Sequence, residues 1–586
     1  VRRLALLLVV MLALVGATDA LAADPIMRLA DVKAGMHCTG RSVIRGTTIS
    51  SFDAEVIDVI QDVSGPAILI RASGPAVDET GIGFGFSGSP INCKDAHGVS
   101  RNAGAVAFGL GDYGNKLAGV TPIEAILDEP IAPVKGARRL TARERASRRQ
   151  LSAPLTLTGL TPWLAGRLRA AASRRGEPVY AAPSGPLKSF PPQQLVPGSS
   201  LSVGLSSGDL ALSAIGTVAY TDGNSVWGFG HPLDAAGPRS LLLQDAYVYT
   251  VVNDPNGDIA GSYKLAAPGH DIGTLSGDYL NAVTGTVGPL PSTTRLHIHA
   301  HDLDTGRELV SDSHVADEID LGSNIGISPL GIVAPIGILD AGVRLLHSDP
   351  GRTTARMCLR VMIAGHARPL RFCNRYVGDN SVAGSAGLLA ASDADEATLL
   401  LESVQFPGIR VESMSADVQL RRGLAQAYLA RARAPRHVRR DGALHVKAAV
   451  KVLRGSRRHV SFDVPVPHAL PPGQYALTLS GPGPDGTGGG DGGSQDDLVA
   501  LLSELFSPGG AGDLGPTSFK SLARQFAAFR RYDGLTARFV ASDPEPVGPS
   551  ARRHRRPPGS RRLHVYVNPD FRIGGRLVVP VRVGHH

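Results

Sequence analysis

Short apolar runs separated by glycine and proline are the feature that most restricts the folds open to this chain. The 586 residues include 70 glycines and 42 prolines, and β-branched residues recur in the runs between them. Runs such as "AILIRAS" (67–73) and "AGAVAFGL" (103–110) are too short for helices of ordinary length. Many short strands joined by turns are therefore predicted, and the expected fold class is mainly β.

The first residues have the three zones of a secretory signal peptide. A basic pair at the start precedes an apolar run over residues 4–15, and a small-residue motif ends at Ala22. Cleavage near Ala22 is predicted from this pattern. The apolar run is shorter than the roughly 20 residues that span a bilayer. The mature protein is therefore expected to be secreted or extracytoplasmic.

The four cysteines fall into two local pairs. Cys38 and Cys93 bracket the first glycine-rich region, whereas Cys358 and Cys373 lie in two alternating runs around a turn. Four cysteines allow three connectivities, and zinc binding is an alternative that no CxxC spacing supports. The local arrangement favours two disulfides, Cys38–Cys93 and Cys358–Cys373, which suits an oxidising compartment.

The net charge is +8, and the arginines cluster in three runs at residues 137–149, 436–440 and 551–562. Clustered cations bind polyanions by releasing condensed counterions, so these runs are candidates for contact with an anionic cell envelope. No aromatic side chains interleave with them, as base stacking would require. No nucleic-acid partner is therefore predicted, and solvated linkers are the simpler interpretation.

Two motifs carry residues that suggest chemistry. The first is "GFSGSP" (85–90), in which a serine between glycines permits a tight turn whose N–H groups face one concavity. An acyl-transfer oxyanion needs such a concavity, although Gly-Ser-Pro turns also occur in ordinary loops. The second motif is "VWGFGHPL" (226–233), which follows a hairpin predicted at Asp222-Gly223.

Together the two motifs resemble those of the SpoIVB peptidase family, serine peptidases with a chymotrypsin-like double barrel. The family has a Gly-Met-Ser-Gly-Ser-Pro turn, and Phe86 stands here in place of the methionine. With the flanking strands, the likeness covers residues 33–300. It implies that Ser87 is the nucleophile and His231 the general base, with the N–H groups of Gly85 and Ser87 as the oxyanion hole.

The chain differs from that family in two respects. The serine motif comes first here, so the two barrel modules are expected in permuted order, and unrelated triads do occur in different chain orders. The family's acid lies shortly before the nucleophile, where this chain reads "RASGP" (71–75) without a carboxylate. Asp78 and Glu79 are the nearest carboxylates, with Asp78 as the candidate acid, and Asp53, Asp234 and Asp245 are alternatives from elsewhere in the chain.

The expected organisation has six parts. They are a signal peptide at 1–22, a serine-bearing β module at 23–134, a basic connector with a helix at 135–195, a histidine-bearing β module at 196–345, a β-sandwich at 346–480, and a small α+β region at 481–586 that comprises a Gly-rich linker, a helix and closing strands.

Two further groups of residues were weighed as sites. Ser89 competes with Ser87 for the role of nucleophile, but Pro90 restricts Ser89 to extended geometry, which suits a residue leaving the turn. In "RLHIHAHD" (295–302), three histidines at 297, 299 and 301 share one face of a predicted strand. That spacing suits zinc or a solvated face, and the solvated face is the preferred interpretation.

The sequence thus predicts a secreted serine endopeptidase that acts on a protein or peptide substrate through an acyl-enzyme at Ser87. No cofactor and no metal ion are predicted. The alternative is a catalytically inactive extracytoplasmic binding or scaffold protein on the same fold. The two hypotheses differ in the geometry around Ser87 and His231.

Overall fold

The computed structural model describes residues 24–62, 65–109, 116–131, 155–173, 179–183, 189–254, 261–319, 328–346, 352–378, 386–482, 515–529, 531, 533–541 and 563–584. The predicted signal peptide and the basic runs 137–149 and 551–562 lie outside these residues, as does nearly all of the Gly-rich linker. The chain divides into two units. The first contains the residues up to Arg295 together with Asp312–Val333, and the second contains Leu296–Ser311 and Ala334–His586.

The first unit begins with a closed six-stranded barrel. A 3-10 helix (Leu29–Asp31) precedes its strands, which are β1 (His37–Arg45), β2 (Thr48–Asp62), β3 (Gly65–Ser73), β4 (Pro90–Lys94), β5 (Ser100–Gly109) and β6 (Leu117–Pro122), followed by helix α1 (Ile123–Leu127). The strand order is β1-β2-β3-β6-β5-β4. Phe52, Ile68 and Ile70 are buried in its interior. A Cβ on Gly40 would lie 2.1 Å from the Phe52 ring, so glycine is required where this ring crosses the neighbouring strand.

A second ring of strands follows in the same unit. Its elements are β7 (Leu155–Thr158), α2 (Pro162–Ser173), β8 (Val179–Ala181), β9 (Ser200–Gly204), β10 (Ser206–Gly208), β11 (Ala211–Asp222), β12 (Ser225–Gly228), β13 (Gly237–Asp254), β14 (Gly261–Asp278) and β15 (Val283–Val287). The sheet order is β12-β15-β14-β13-β9-β11-β7-β8, and β12 also pairs with β11. These pairings join β9 and β11–β15 into a six-stranded ring. Strands β7 and β8, which belong to the predicted connector, extend it.

The predicted hairpin before the histidine motif is present. Asp222 pairs with Ser225 across β11 and β12, so Gly223 and Asn224 form a two-residue turn. The positive φ of 56° falls on Gly223, the residue type that tolerates it without steric cost. The hairpin then leads directly into the loop that carries His231.

The second unit contains a sheet in which β16, β20, β18 and β19 lie side by side in that order. Its elements and those around it are β16 (Thr293–Asp302), β17 (Glu308–Ala316), α3 (Pro329–Leu346), β18 (Thr353–Ile363), β19 (Leu370–Gly378), α4 (Ala386–Glu402) and β20 (Val411–Arg422). Among the described residues, α3 is the one helix long and apolar enough to cross a membrane, and it is 89% buried.

Two further sheets complete the second unit. Their elements are β21 (Gln426–Arg433), β22 (His437–Arg439), β23 (Ala443–Val452), β24 (Arg457–Pro465), β25 (Gly473–Ser480), α5 (Phe519–Ala527), β26 (Leu535–Ala541), β27 (Leu563–Tyr566), β28 (Arg572–Gly574) and β29 (Arg576–Gly584). The sheet orders are β24-β23-β21-β28 and β22-β29-β25-β26-β27. One core joins them, with Leu444 from the first sheet and Leu477 and Val579 from the second. Residues 563–584 therefore share sheets with residues 426–480, although the sequence assigned these stretches to different regions.

The prediction of a mainly β chain is confirmed, and so are both disulfides. Cys38 and Cys93 face each other across β1 and β4, and Cys358 and Cys373 face each other across β18 and β19. All four cysteines are thereby paired, which is consistent with an oxidising, extracytoplasmic location.

Candidate active site

The glycine-rich turn over residues 84–89 is held by backbone hydrogen bonds to both β modules. Its anchoring bonds are Gly88 N–H to Val106 O (2.7 Å), Thr217 N–H to Ser87 O (2.8 Å) and Phe84 N–H to Ser262 O (2.9 Å). The partner residues Val106, Thr217 and Ser262 belong to β5, β11 and β14, respectively. The turn is therefore fixed where the two rings of strands meet.

Glycine is required at position 88 of this turn. Its φ is 90°, a conformation that disfavours residues with a side chain. A Cβ there would also lie 1.9 Å from Thr217 O and 2.7 Å from Phe229 N. The turn thus packs directly against β11 and against the loop that carries His231.

Two backbone N–H groups of the turn, those of Gly85 and Ser87, have no hydrogen-bond acceptor among the described residues. The N–H groups of Phe86, Gly88 and Ser89 are each bonded to a backbone carbonyl. The two unpaired groups are the pair that the resemblance assigns to the oxyanion hole. Paired donors that are already fixed in place can stabilise a developing negative charge without reorganisation.

The two serines of the turn have different environments. Ser89 is 0% exposed, and its hydroxyl donates to Ser42 Oγ at 2.9 Å. Ser87 is partly exposed, and within the part of the chain that the structure describes its hydroxyl has no hydrogen-bond partner. Only the Ser87 hydroxyl is therefore both accessible and uncommitted.

His231 lies in a loop with an unusual backbone. Phe229 and Gly230 have φ of 66° and 70°, and Phe229 is a buried non-glycine residue in the left-handed region. Such strain is maintained only where the surroundings impose it. Here the Thr121 hydroxyl donates to Gly230 O at 2.6 Å, which ties the loop to the first barrel.

The His231 ring has a defined tautomer. Its Nδ1 lies 2.6 Å from the carbonyl oxygen of Pro232, and a carbonyl can only accept, so Nδ1 carries the hydrogen and Nε2 has the free lone pair. Burial lowers the pKa of His231. The imidazole is therefore neutral at pH 7 and has a basic nitrogen available.

The two motifs meet at the carbonyl of Val106. This oxygen accepts the Gly88 N–H at 2.7 Å and lies 3.0 Å from the place that a Cβ on Gly230 would take. Ser87 and His231 each adjoin one of these glycines in the chain, so the fold brings their backbones close together. No hydrogen bond joins the Ser87 hydroxyl to the His231 ring within the described ranges.

Buried charges anchor the loop that follows His231. The Asp278 carboxylate, 0% exposed, accepts the N–H groups of Leu233 (2.7 Å) and Asp234 (2.9 Å). Arg239 binds the buried Glu318 through Nε (3.0 Å) and Nη2 (2.9 Å). Asp278 thus fixes the segment 231–239 near its start, and Glu318 fixes its end.

The candidate acid Asp78 has a surface partner. Its carboxylate lies 2.6 Å from Lys116 Nζ, and this hydrogen bond lowers the pKa of Asp78. The one acceptor bonded to His231 among the described residues is the Pro232 carbonyl. The role of Asp78 as the catalytic acid stays a prediction that no contact supports.

The alternative acids also have other contacts. Asp234 lies 2.8 Å from Arg239, and Asp53 is exposed on β2. Asp245 is fully buried, and it accepts the backbone N–H of His270 at 2.6 Å and lies 3.0 Å from the ring of that residue. Asp245 therefore orients His270, a pairing that the sequence analysis did not find.

Lys264 is another residue that the sequence analysis missed. It lies on β14 with 4% exposure, and its amine is 2.8 Å from Ser42 Oγ and 3.1 Å from Thr217 Oγ1. No carboxylate pairs with it in the described part of the chain. Burial lowers the pKa of Lys264 to about 7. The one sequence signal for its burial is its position: it alternates with Ser262 and Ala266, two inward residues of the same strand.

The Lys264 amine holds the turn from behind through two hydroxyls. The Thr217 hydroxyl donates to Gly85 O at 3.0 Å, and the Ser42 hydroxyl accepts from Ser89 at 2.9 Å. The turn is thus connected to the amine on both sides of Ser87. A buried amine of this kind makes the stability of the turn depend on pH.

Lys264→Met is expected to remove a pH dependence from unfolding of the first unit. The pKa is about 7 when folded and 10.5 for an ordinary lysine, so between these values the unfolded chain binds more protons. Stability of the wild type is lowest below pH 7, and it rises above pH 7 by up to about 1.4 kcal/mol per pH unit. The variant lacks this rise. Urea unfolding between pH 6 and 9 measures it by fluorescence, because both tryptophans, Trp163 and Trp227, belong to this unit.

Lys94→Met is the matched control for this measurement, because Lys94 is an exposed lysine of the first barrel. It should keep the wild-type slope. If Lys264→Met also keeps that slope, Lys264 is not the neutral buried amine inferred from its surroundings.

The three histidines of β16 share one face of the strand and are each partly exposed. His299 lies 3.5 Å from Glu308 and 3.9 Å from Asp417. Among the described residues, no group of three or more histidine, cysteine, aspartate or glutamate side chains is arranged to hold a metal ion.

No protein-family profile, no curated protein and no solved structure matches this chain.

Proposed function

We propose that the chain is an extracytoplasmic serine endopeptidase, similar to the SpoIVB peptidases, that hydrolyses peptide bonds of a protein or peptide substrate. The observation that carries this proposal is the pair of unpaired N–H groups at Gly85 and Ser87 beside the uncommitted hydroxyl of Ser87. Since no group of the described chain uses these donors, they are open to an acceptor on a bound substrate. An oxyanion that forms on a substrate carbonyl would accept from both.

In the proposed reaction, Ser87 Oγ attacks the carbonyl carbon of the scissile bond while His231 Nε2 takes the hydroxyl proton. The carbonyl oxygen becomes an oxyanion that accepts from the N–H groups of Gly85 and Ser87. As the tetrahedral intermediate collapses, the C–N bond breaks and His231 gives its proton to the leaving amine. Water then hydrolyses the acyl-enzyme by the same steps and regenerates the Ser87 hydroxyl.

The orienting partner of His231 in this proposal is the carbonyl of Pro232. A carbonyl that accepts from Nδ1 selects the tautomer with a basic Nε2, which is one of the two roles of the usual carboxylate. The other role, stabilising the imidazolium that forms, needs a full negative charge. The expected enzyme is therefore slower than one with a complete triad, and it is suited to one or a few substrates.

We also infer that the two rings of strands are chymotrypsin-like barrels in permuted order, with the serine-bearing barrel first. The closed antiparallel barrel, the second six-stranded ring and the position of both motifs where the rings meet support this inference. The two sheets over residues 426–584 are inferred to form a β-sandwich, because one hydrophobic core joins them.

An inactive binding or scaffold protein on the same fold is the second candidate. Two observations within the described ranges favour it: no hydrogen bond joins Ser87 to His231, and no carboxylate is bonded to that ring. Catalytic hydrogen bonds are often long before substrate binds, so the two candidates are separated by reactivity and not by this geometry.

A fluorophosphonate probe tests the proposal. We expect one covalent adduct per chain, mapped to Ser87 by peptide mass spectrometry, because the phosphonyl oxygen would accept from the same two N–H groups. His231→Gln should label far more slowly, since Nε2 can then no longer take the hydroxyl proton. A wild-type protein that does not label, or an adduct mapped to another serine, would favour the scaffold function.

A further inference from the structure

A cavity of about 590 Å³ opens in the second unit on the outer face of the sheet that contains β18, β19 and β20. Arg356, Arg375, Arg421, Asp533 and Asp570 supply its charged lining. Successive side chains of a strand alternate between the two faces of the sheet, and Met357, which follows Arg356 on β18, is fully buried. The arginines therefore point away from the core of the sheet and into the cavity.

The register of the strands places the arginines side by side. Arg356 on β18 stands directly opposite Arg375 on β19, and Arg421 lines the same cavity from β20. The disulfide between Cys358 and Cys373 joins the next outward pair along this hairpin. Three like charges are thus held together, which is unfavourable unless an opposite charge joins them.

Arg375 is the most buried of the three. It is 7% exposed, and its Nη2 donates to the Pro569 carbonyl. Its Nη1 is buried and has no hydrogen-bond partner among the described residues. Burial lowers the pKa of Arg375, and the neighbouring Arg421 and Arg356 act in the same direction, whereas Asp533 and Asp570 raise it. A buried guanidinium with an unused donor costs free energy until an acceptor arrives.

The two carboxylates of the cavity already have partners. Asp533 accepts from Arg531 at 2.9 and 3.2 Å, and Asp570 lies 3.9 Å from Arg458. Neither Arg531 nor Arg458 is among the residues that line the cavity. Both carboxylates also raise the pKa of Arg375, but three arginines against two carboxylates leave the lining of the cavity with an excess of positive charge.

We propose that this cavity binds the oxyanion group of a ligand, a phosphate or a carboxylate, through Arg356, Arg375 and Arg421. Guanidinium groups present planar pairs of donors that match the oxygens of such groups. Leu303 and Val567 line the same cavity and provide apolar surface for an organic portion of the ligand. The site is independent of the proposed peptidase centre, since all its residues belong to the second unit.

Calorimetric titration of the whole protein with inorganic phosphate, and separately with citrate, tests this site. Ionic strength is held constant with sodium chloride. The wild type should bind at least one of the two anions with a Kd of about 1 mM or tighter. Tighter binding of phosphate assigns a phosphate group, and tighter binding of citrate assigns a carboxylate group. Arg375→Met should weaken binding about tenfold or more, the loss expected for charge-assisted hydrogen bonds.

Arg371→Met is the matched control. Arg371 lies in the same hairpin and faces Arg360 in the same kind of cross-strand pair, but both are exposed and neither lines the cavity. If Arg375→Met unfolds the unit, which circular dichroism would reveal, Arg356→Gln provides the same test at a less buried position. The proposal is overturned if neither anion binds the wild type with a Kd of about 1 mM or tighter, or if Arg371→Met weakens binding as much as the cavity variants.

Discussion

Ser87→Ala should lower kcat for peptide hydrolysis by about 10⁴- to 10⁶-fold, the range seen when a serine nucleophile is removed. KM should change little, because the Ser87 hydroxyl has no partner among the described residues and its loss leaves the turn intact. Stability should be unchanged for the same reason. Cleavage of an unstructured protein, followed by mass spectrometry of the products, gives the rates.

Two serine variants accompany this measurement. Ser51→Ala removes an exposed hydroxyl from the same barrel and should keep the wild-type rate. Ser89→Ala removes a buried donor to Ser42, so it should lower stability before it lowers the rate of the chemical step. A Ser87→Ala protein that hydrolyses peptide at the wild-type rate would rule out the acyl-enzyme at Ser87.

Arg239→Met should destabilise the first unit by about 3–5 kcal/mol, the usual cost of leaving one member of a buried ion pair without its partner. The side chains of Arg239 and Glu318 are 3% and 0% exposed, and two hydrogen bonds join them. Methionine fills a similar volume but supplies no charge. Urea unfolding followed by tryptophan fluorescence measures the change in the free energy of unfolding, because both tryptophans report on this unit.

The same substitution should also reduce labelling of Ser87 under conditions in which the protein is still folded. Arg239 ends the segment that begins at His231. Freeing this end of the segment should change the position and angle of the His231 ring relative to Ser87. Arg295→Met is the control, since the pair of Arg295 with Asp312 is exposed by 60% and 40% and is worth less than about 1 kcal/mol. Equal destabilisation by both variants would contradict the role assigned to the buried pair.

Local patterns in the sequence were sufficient for several features. Alternation of apolar residues predicted the strands, the spacing of the cysteines predicted both disulfides, and Asp222-Gly223 marked the hairpin before His231 within one residue. These features depend on neighbours in the chain or on short loops. A turn residue or an alternating run has the same consequence in almost any fold.

The boundary near residue 480 shows where local patterns are insufficient. The glycine-rich stretch that follows suggests a separate C-terminal region, yet β26 and β29 pair with β25 on the far side of it. The composition of this stretch indicates a linker, but it does not indicate which strand the residues after the linker pair with. Only hydrogen bonding between distant strands decides that.

The surroundings of the candidate site were likewise beyond the sequence. Lys264 occupies an ordinary inward position of β14, and nothing around it in the chain distinguishes a buried lysine from an exposed one. Its amine is connected to the turn through the hydroxyls of Ser42 and Thr217, which belong to β1 and β11. The partner of His231 is a backbone carbonyl, a group that every residue possesses and no motif can indicate.

Residue order therefore determined the mainly β character, the cysteine pairing and the two motifs, since each follows from spacing along a short stretch of chain. The tertiary structure decided which N–H groups of the turn stay unpaired, which acceptor orients His231, and that an amine without a carboxylate partner among the described residues lies behind Ser87. Hydrogen bonds and desolvation act through space over a few ångströms, so only the packed chain brings these groups within reach of one another.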